Sequence, residues 1–264
     1  MRSRQSIATL FTMTVLLGAG VVCDAADEVI TLVDLMVLYT PAARTAAGGS
    51  DAIGSQIQAS VREANSVFLN SRVQMRVRLV HAAEVHYAES GLVATDLARL
   101  RDPQDGFMDE VHAWRDQFNA DLVCLITERG FDYQFYGLQG PSTNSAFSIL
   151  RRPYLVGQNG LAVTLSFNFG CQLERPYADS VGAFPYSYGH SFRAPDGTKY
   201  GTTDSAQWPR LPWFSNPDLR FQGVSTGIPA GRPFAADNAR TLNQTAGMFT
   251  KVNQPIPSLE LAIR

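Results

Sequence analysis

Histidine is scarce in this chain: four in 264 residues, at His81, His86, His112 and His190. That leaves little material for a metal centre. His81 and His86 stand five apart on an expected strand, so they point to opposite faces. His112, beside Trp114 on a polar helix, reads as a surface residue and His190 as an exposed loop residue. Cysteine is rarer still, with three residues, which excludes a disulfide scaffold. Lysine is limited to Lys199 and Lys251 among 22 basic residues, and the arginines form no cluster. With a net charge of −2 and only 17% charged residues, there is no footprint for nucleic acid or an anionic membrane surface. No repeat and no low-complexity linker divides the chain, and beyond the N-terminus no apolar run reaches the length of a membrane span.

What is present suits a buried core. Hydrophobic residues make up 45% of the chain, with 15 Phe, 9 Tyr and 3 Trp, which argues against disorder. Arg2 and Arg4 precede an apolar stretch from Ile7 to Val22, followed by Cys23-Asp24-Ala25 with small residues at the −3 and −1 positions of a cleavage site. Residues 1–25 are therefore expected to be a secretory signal peptide, giving a secreted or periplasmic protein that keeps Cys124 and Cys171 and acts as a monomer. Whether those two cysteines pair is open from the sequence. One domain over residues 28–252 is the simplest organisation.

Element types alternate along that domain. Val29 to Tyr39 is a β-branched apolar run bounded by Thr40-Pro41 and reads as a buried strand. After Gly48-Gly49, Ser50 is the expected cap of a helix carrying Ile53, Ile57, Val61, Ala64 and Phe68 on one face. Val73 to Val85 reads as a strand, Leu92 to Phe118 as one or two helices broken at Asp102-Pro103, and Ala120 to Thr127 as a second buried strand. Phe131 to Asn144 reads as loop, with Ser142, Thr143 and Asn144 forming a turn, then Ala146 to Leu150 as a short strand and Gly160 to Gly170 as a helix. Arg175 to Gly231 is rich in Pro, Gly and aromatic residues, an irregular section of the kind that lines clefts. A last helix is expected from Ala235 to about Phe249, with Asp237-Asn238 as cap and first-turn charge. The order is that of an α/β protein with a mixed sheet.

The segment LAVTLSFNFGCQLERP, residues 161 to 176, resembles the active-site segment of the reprolysin-like metzincins, whose pattern is H-E-x-x-H-N-x-G-x-x-H followed by a Met-turn. Asp34 to Arg44, Ala64 to Ser71, Phe214 to Asp218 and Ala236 to Ala246 are similar to the bacterial secreted branch of that family, in the expected order. The resemblance implies an α/β (α+β) fold with a metzincin-like mixed five-stranded sheet, long covering helices and a loop-rich C-terminal subdomain. It also implies a secreted zinc endopeptidase. In that chemistry two histidines one helical turn apart and a third beyond a glycine hold zinc, and a glutamate acts as base on the metal-bound water.

With Asn168-Phe169-Gly170-Cys171 as the anchor, the positions of the three zinc histidines hold Val163, Phe167 and Leu173, and the position of the glutamate holds Thr164. Thr202-Thr203-Asp204-Ser205-Ala206 stands where the Met-turn belongs, with Asp204 in place of methionine. Apolar side chains offer zinc no lone pair, and a threonine is no general base near neutral pH. From this we expect no zinc cofactor and a non-catalytic homologue that binds peptide or protein in the former substrate cleft, near Asn168, Gly170, His190 and Phe214. Val163, Phe167 and Leu173 are expected to fill the metal cavity as core, the less favoured reading being an apolar pocket.

Two other readings stand beside it. The alternative is an active secreted zinc metalloendopeptidase with an unrecognised ligand set, for which His190, Glu174, Asp179 and Asp204 are the thin candidates. A third treats the domain as a structural or adhesive module of the cell envelope. Cys171 follows a helix end, where its thiolate gains nothing from a helix N-terminus, and there is no G-x-S-x-G elbow.

Overall fold

The N-terminal strand β1 (Thr31–Tyr39) has seven consecutive positions, 33 to 39, that are largely buried, as befits a strand covered on both faces. A computed structural model describes residues 30–130, 135–137 and 146–249. The expected signal peptide, Cys23 and the turn Ser142 to Asn144 lie outside the described residues. Among those described, no helix is long and apolar enough to cross a membrane.

Thr40-Pro41 ends β1 by starting a helix that the sequence reading does not include. Thr40 accepts the Ala43 N–H at 3.0 Å and Pro41 takes the first helical position of α1 (Pro41–Ala47), which stops at Gly48 with φ 99°. The long helix α2 (Ser50–Asn70) buries Ile53, Ile57, Val61, Ala64 and Phe68, the stripe expected from their spacing. Its cap is Gly49, not Ser50, and makes no side-chain hydrogen bond. Then follow β2 (Met75–Glu84), α3 (Val93–Arg101), α4 (Glu110–Gln117), β3 (Leu122–Thr127), β4 (Phe135–Gly137), β5 (Phe147–Arg151) and α5 (Gly160–Asn168).

The first five strands form one sheet in the order β2-β1-β3-β5-β4. The β1, β2, β3 and β5 strands run parallel, and β4 is an antiparallel edge strand. The α2 helix packs on β2 and α5, and α5 packs in turn on β4 and β5. Beyond α5 the chain is mostly irregular, as expected. Two short ribbons interrupt it, β6 (Ser191–Arg193) with β7 (Lys199–Gly201) and β8 (Arg220–Phe221) with β9 (Val224–Ser225). The final helix α6 (Asn238–Thr245) is shorter than expected and continues as a 3-10 turn over Ala246–Met248. The architecture is a mixed α/β sheet with covering helices, as the resemblance implied.

His81 lies on β2 as expected, whereas His86 and His112 depart from their expected settings. His81 is half-buried, its ring 3.8 Å from that of Phe118. His86 lies past the end of β2, so the two-face argument does not apply to it. His112 is half-buried, with its ring 5.3 Å from Phe147 and a buried Nε2 that has no partner among the described residues. Cys124 and Cys171 are both buried and free.

Candidate functional site

All nine residues of α5 are buried, which makes it a central helix enclosed on every side. Val163 and Phe167 are 1% and 7% exposed, so they sit within the protein interior, and Leu173 is half-buried. Thr164 is fully buried and its hydroxyl donates to the Gly160 carbonyl at 2.7 Å, four residues back in its own helix. That bond holds the side chain against the helix backbone, with no proton to exchange with a substrate.

The exit from α5 is built on Gly170. Its φ is 85°, its N–H donates to the Phe167 carbonyl, and the Cys171 N–H donates to Ser166, the paired bonds of a Schellman end. A Cβ on Gly170 would lie 2.5 Å from that of Ala183, so the glycine answers both a backbone and a packing demand. The turn brings Gln172 beside Tyr188 and sets Glu174 against Asp204, whose carbonyl accepts the Glu174 N–H at 3.2 Å.

Asp204 is the centre of a buried polar network. It is 1% exposed and accepts hydrogen bonds from Thr202 Oγ1 at 2.7 Å and from Asn238 Nδ2. Burial pushes its carboxyl up to about 6, against the downward pull of those two bonds. Asn238 also donates to the Gln172 carbonyl at 2.9 Å, and its backbone N–H donates to Ser215 Oγ. The segment at the Met-turn position is thereby stitched to the exit of α5 and the start of α6. Asp237 caps α6 by accepting the Arg240 N–H at 3.0 Å, as expected, and burial lifts its carboxyl to about 6 as well.

The structure draws some expected site residues together and separates others. His190 joins the Asp204 network, its N–H donating to Thr202 Oγ1 at 3.0 Å, and is half-buried where the sequence suggested exposure. Burial lowers the pKa of its imidazole, partly opposed by the charge of Glu174. Arg210 feels both Asp204 and Glu174, and its Nε is buried without a partner among the described residues. Asp179 is exposed. Phe214, proposed to line the cleft, is fully buried, stacked 5.8 Å from Phe68, and belongs to the core. Asn168 is fully buried too, its Nδ2 donating to the Phe147 carbonyl at 3.1 Å, and buried Gly170 serves the turn. Sequence reasoning missed Thr202, Arg210 and the core role of Asn238. Their partners lie up to 66 residues away, as between Asn238 and Gln172, and no local pattern signals such pairs.

Beside this centre is a groove of about 650 Å³ whose wall includes Ala183, Phe184, Tyr186 and Tyr188 together with Arg175 and Arg232. Arg175 ties its two sides, lying 3.8 Å over the Tyr188 ring and donating to the carbonyls of Pro185 and Ala235.

A parallel sheet with one antiparallel edge strand above a buried helix ended by a glycine turn defines the class of metzincin-like α+β proteins. Residues 30–137 match the family described as Metallo-peptidase family M12B Reprolysin-like. The chain is 30% identical over 233 residues to the peptidyl-Asp metalloendopeptidase of Stenotrophomonas maltophilia (strain K279a), covering 85% of this chain and 53% of that one. It is 30% identical over 259 residues to the protein of that name in Pseudomonas aeruginosa, covering 85% and 41%. A solved structure titled "Structure of a chaperone-substrate complex" superposes with a TM-score of 0.64 at 15% identity, covering 83% of this chain and 38% of that one, which speaks to the fold alone. Over residues 30–137 the chain is similar to the reprolysin-like metallopeptidase family. It spans about half the length of the curated relatives it matches, 53% for the Stenotrophomonas protein.

The expectation that no cofactor belongs to this protein is corrected by those findings. The family is one of metallopeptidases and the relatives are named metalloendopeptidases, so zinc is the cofactor to expect of it. The residues at the positions that the resemblance assigns to the zinc ligands, Val163, Phe167 and Leu173, carry no donor atom and do not fit that ion. Among the described residues no group of three or more His, Cys, Asp or Glu side chains is placed to hold a metal.

Proposed function

We propose that this chain is an exported, monomeric member of the metallopeptidase family, with a single domain over residues 28–252, that binds polypeptide segments without cleaving them. The observation that supports this most is Thr164, at the position of the family's glutamate: its hydroxyl is fully buried and donates to the carbonyl of Gly160. A residue so placed takes no proton from water. Val163 and Phe167 beside it complete an apolar interior, and the aromatic groove next to the Asp204 network offers a surface for peptide side chains.

A second reading is favoured by the comparisons. The relatives carry the name peptidyl-Asp metalloendopeptidase, and on that ground the chain is an active metalloendopeptidase with a ligand set outside the family pattern. Arg175 and Arg232 in the groove are suited to an acidic side chain under either reading.

Fluorescence anisotropy of labelled, unfolded casein against the purified protein tests the first reading. Saturable binding with the casein recovered intact is expected. Failure to bind, or release of casein fragments that a chelator prevents, contradicts it, and the latter outcome establishes the second reading.

A further inference from the structure

The sheet has a topological switch point away from the site above. From β1 the chain passes outward to β2, and from β2 it returns across β1 to β3, which leads on towards β5. The β1 and β3 strands are parallel neighbours whose outgoing connections run in opposite directions. In open α/β sheets a crevice opens at the carboxyl ends of such a pair, and ligands bind there.

The crevice is present here as a cavity of about 620 Å³. Pro41 follows β1, His86, Tyr87 and Glu89 follow β2, Arg129 follows β3, and Phe107 closes the side from the loop between α3 and α4. The size is that of small-molecule sites, which run from about 300 to 1,000 Å³. None of its lining residues belongs to α5 or to the chain beyond it.

Donors gather at this point. The Glu128 N–H reaches Glu89 Oε1 at 2.8 Å, the Arg129 N–H reaches Oε2 at 2.7 Å, and the Thr40 hydroxyl also donates to Oε1. The Glu89 carboxylate thus occupies the anion hole that the two strand ends create, and its charge is met by three donors. The Arg129 guanidinium is different. It is exposed at the mouth and has no ion-pair partner among the described residues. Phe107 is 41% exposed, and the Arg99 guanidinium sits 4.1 Å from its ring centroid, adding a second cation to that wall. Pro41, Ala42 and Ala88 supply further apolar surface.

We propose that this crevice is a binding site for a carboxylate carried on a flat apolar body, with the carboxylate on Arg129 and the body against Phe107 and Pro41. A cation is disfavoured because the one acidic side chain in the lining is already saturated by donors. A neutral ligand leaves Arg129 without its partner.

Phenylacetate is the probe, titrated against the whole protein by isothermal calorimetry, with phenylacetamide and phenethylamine in parallel. Saturable binding of the acid is expected, with each neutral or cationic analogue weaker by about tenfold, the order of one charge-assisted contact. Arg129→Gln, at an exposed position, should weaken phenylacetate by a similar factor and leave phenylacetamide unchanged. Phe107→Ala should weaken both. A tetrapeptide ending in phenylalanine, compared with its amide, distinguishes a chain terminus from a free acid as the source of the carboxylate. If phenylacetate does not bind, if the amide binds as tightly as the acid, or if Arg129→Gln changes neither, the proposal is overturned.

Discussion

Burial holds the Asp204 carboxyl up at about 6 although Thr202 and Asn238 both donate to it. A carboxyl raised in the folded state favours folding when protonated. Its contribution is complete below the unfolded value near 3.8 and is lost as pH rises through about 6. Asp237, raised to about 6 mainly by burial, acts in the same direction. Asp204→Asn should therefore show a shallower decline of stability between pH 4 and about 6.5 than the parent, read as urea midpoints across that window. An equal slope in the two proteins contradicts the role given to Asp204. At Gly170 the expectation is steric. Gly170→Ala meets Ala183 and an unfavourable φ of 85°, and should lose about 1 to 3 kcal/mol in urea unfolding. Both the need for glycine there and the Asp237 cap were legible in the sequence, since each depends on near neighbours. The Asp204 network was not, because Thr202, Asn238 and Gln172 meet only through the tertiary fold.

At the scale of elements, periodicity read the strongly patterned segments well. The stripe of α2, the break between α3 and α4 at Asp102-Pro103, and the strands β1, β2 and β3 are where their apolar spacing put them. The α1 helix is hard to read from sequence because Thr40-Pro41 signals the end of a strand, whereas Thr at the cap and Pro at the first position also start a helix. The β4 strand has three residues within a stretch of loop composition, too short for alternation to register. The α5 helix is legible as a helix, but burial on all its faces comes from α2, β4 and β5 packing around it. That setting makes Phe167 a packing residue. Phe167→Ala should cost about 3 to 5 kcal/mol through the cavity it leaves, measured by chemical unfolding. A loss under about 1 kcal/mol would place Phe167 instead on a wall open to ligands.

For the whole molecule, the parallel sheet with its antiparallel edge is consistent with a metzincin-like α+β fold, and residues 30–137 match the reprolysin-like metallopeptidase family. The proposed non-catalytic reading rests on a handful of side chains, Val163, Thr164, Phe167 and Leu173, at the positions the resemblance assigns to the zinc ligands and the glutamate. Since the chain spans 53% of the length of the Stenotrophomonas relative, activity is best judged on this chain itself. The proposed reading predicts that the protein retains polypeptide and releases it whole. The most direct test incubates unfolded casein with excess protein, with added zinc and with chelator, and follows peptide-bond hydrolysis over hours. Equal and negligible hydrolysis in the two conditions is the predicted result, and zinc-dependent cleavage that the chelator abolishes would contradict it.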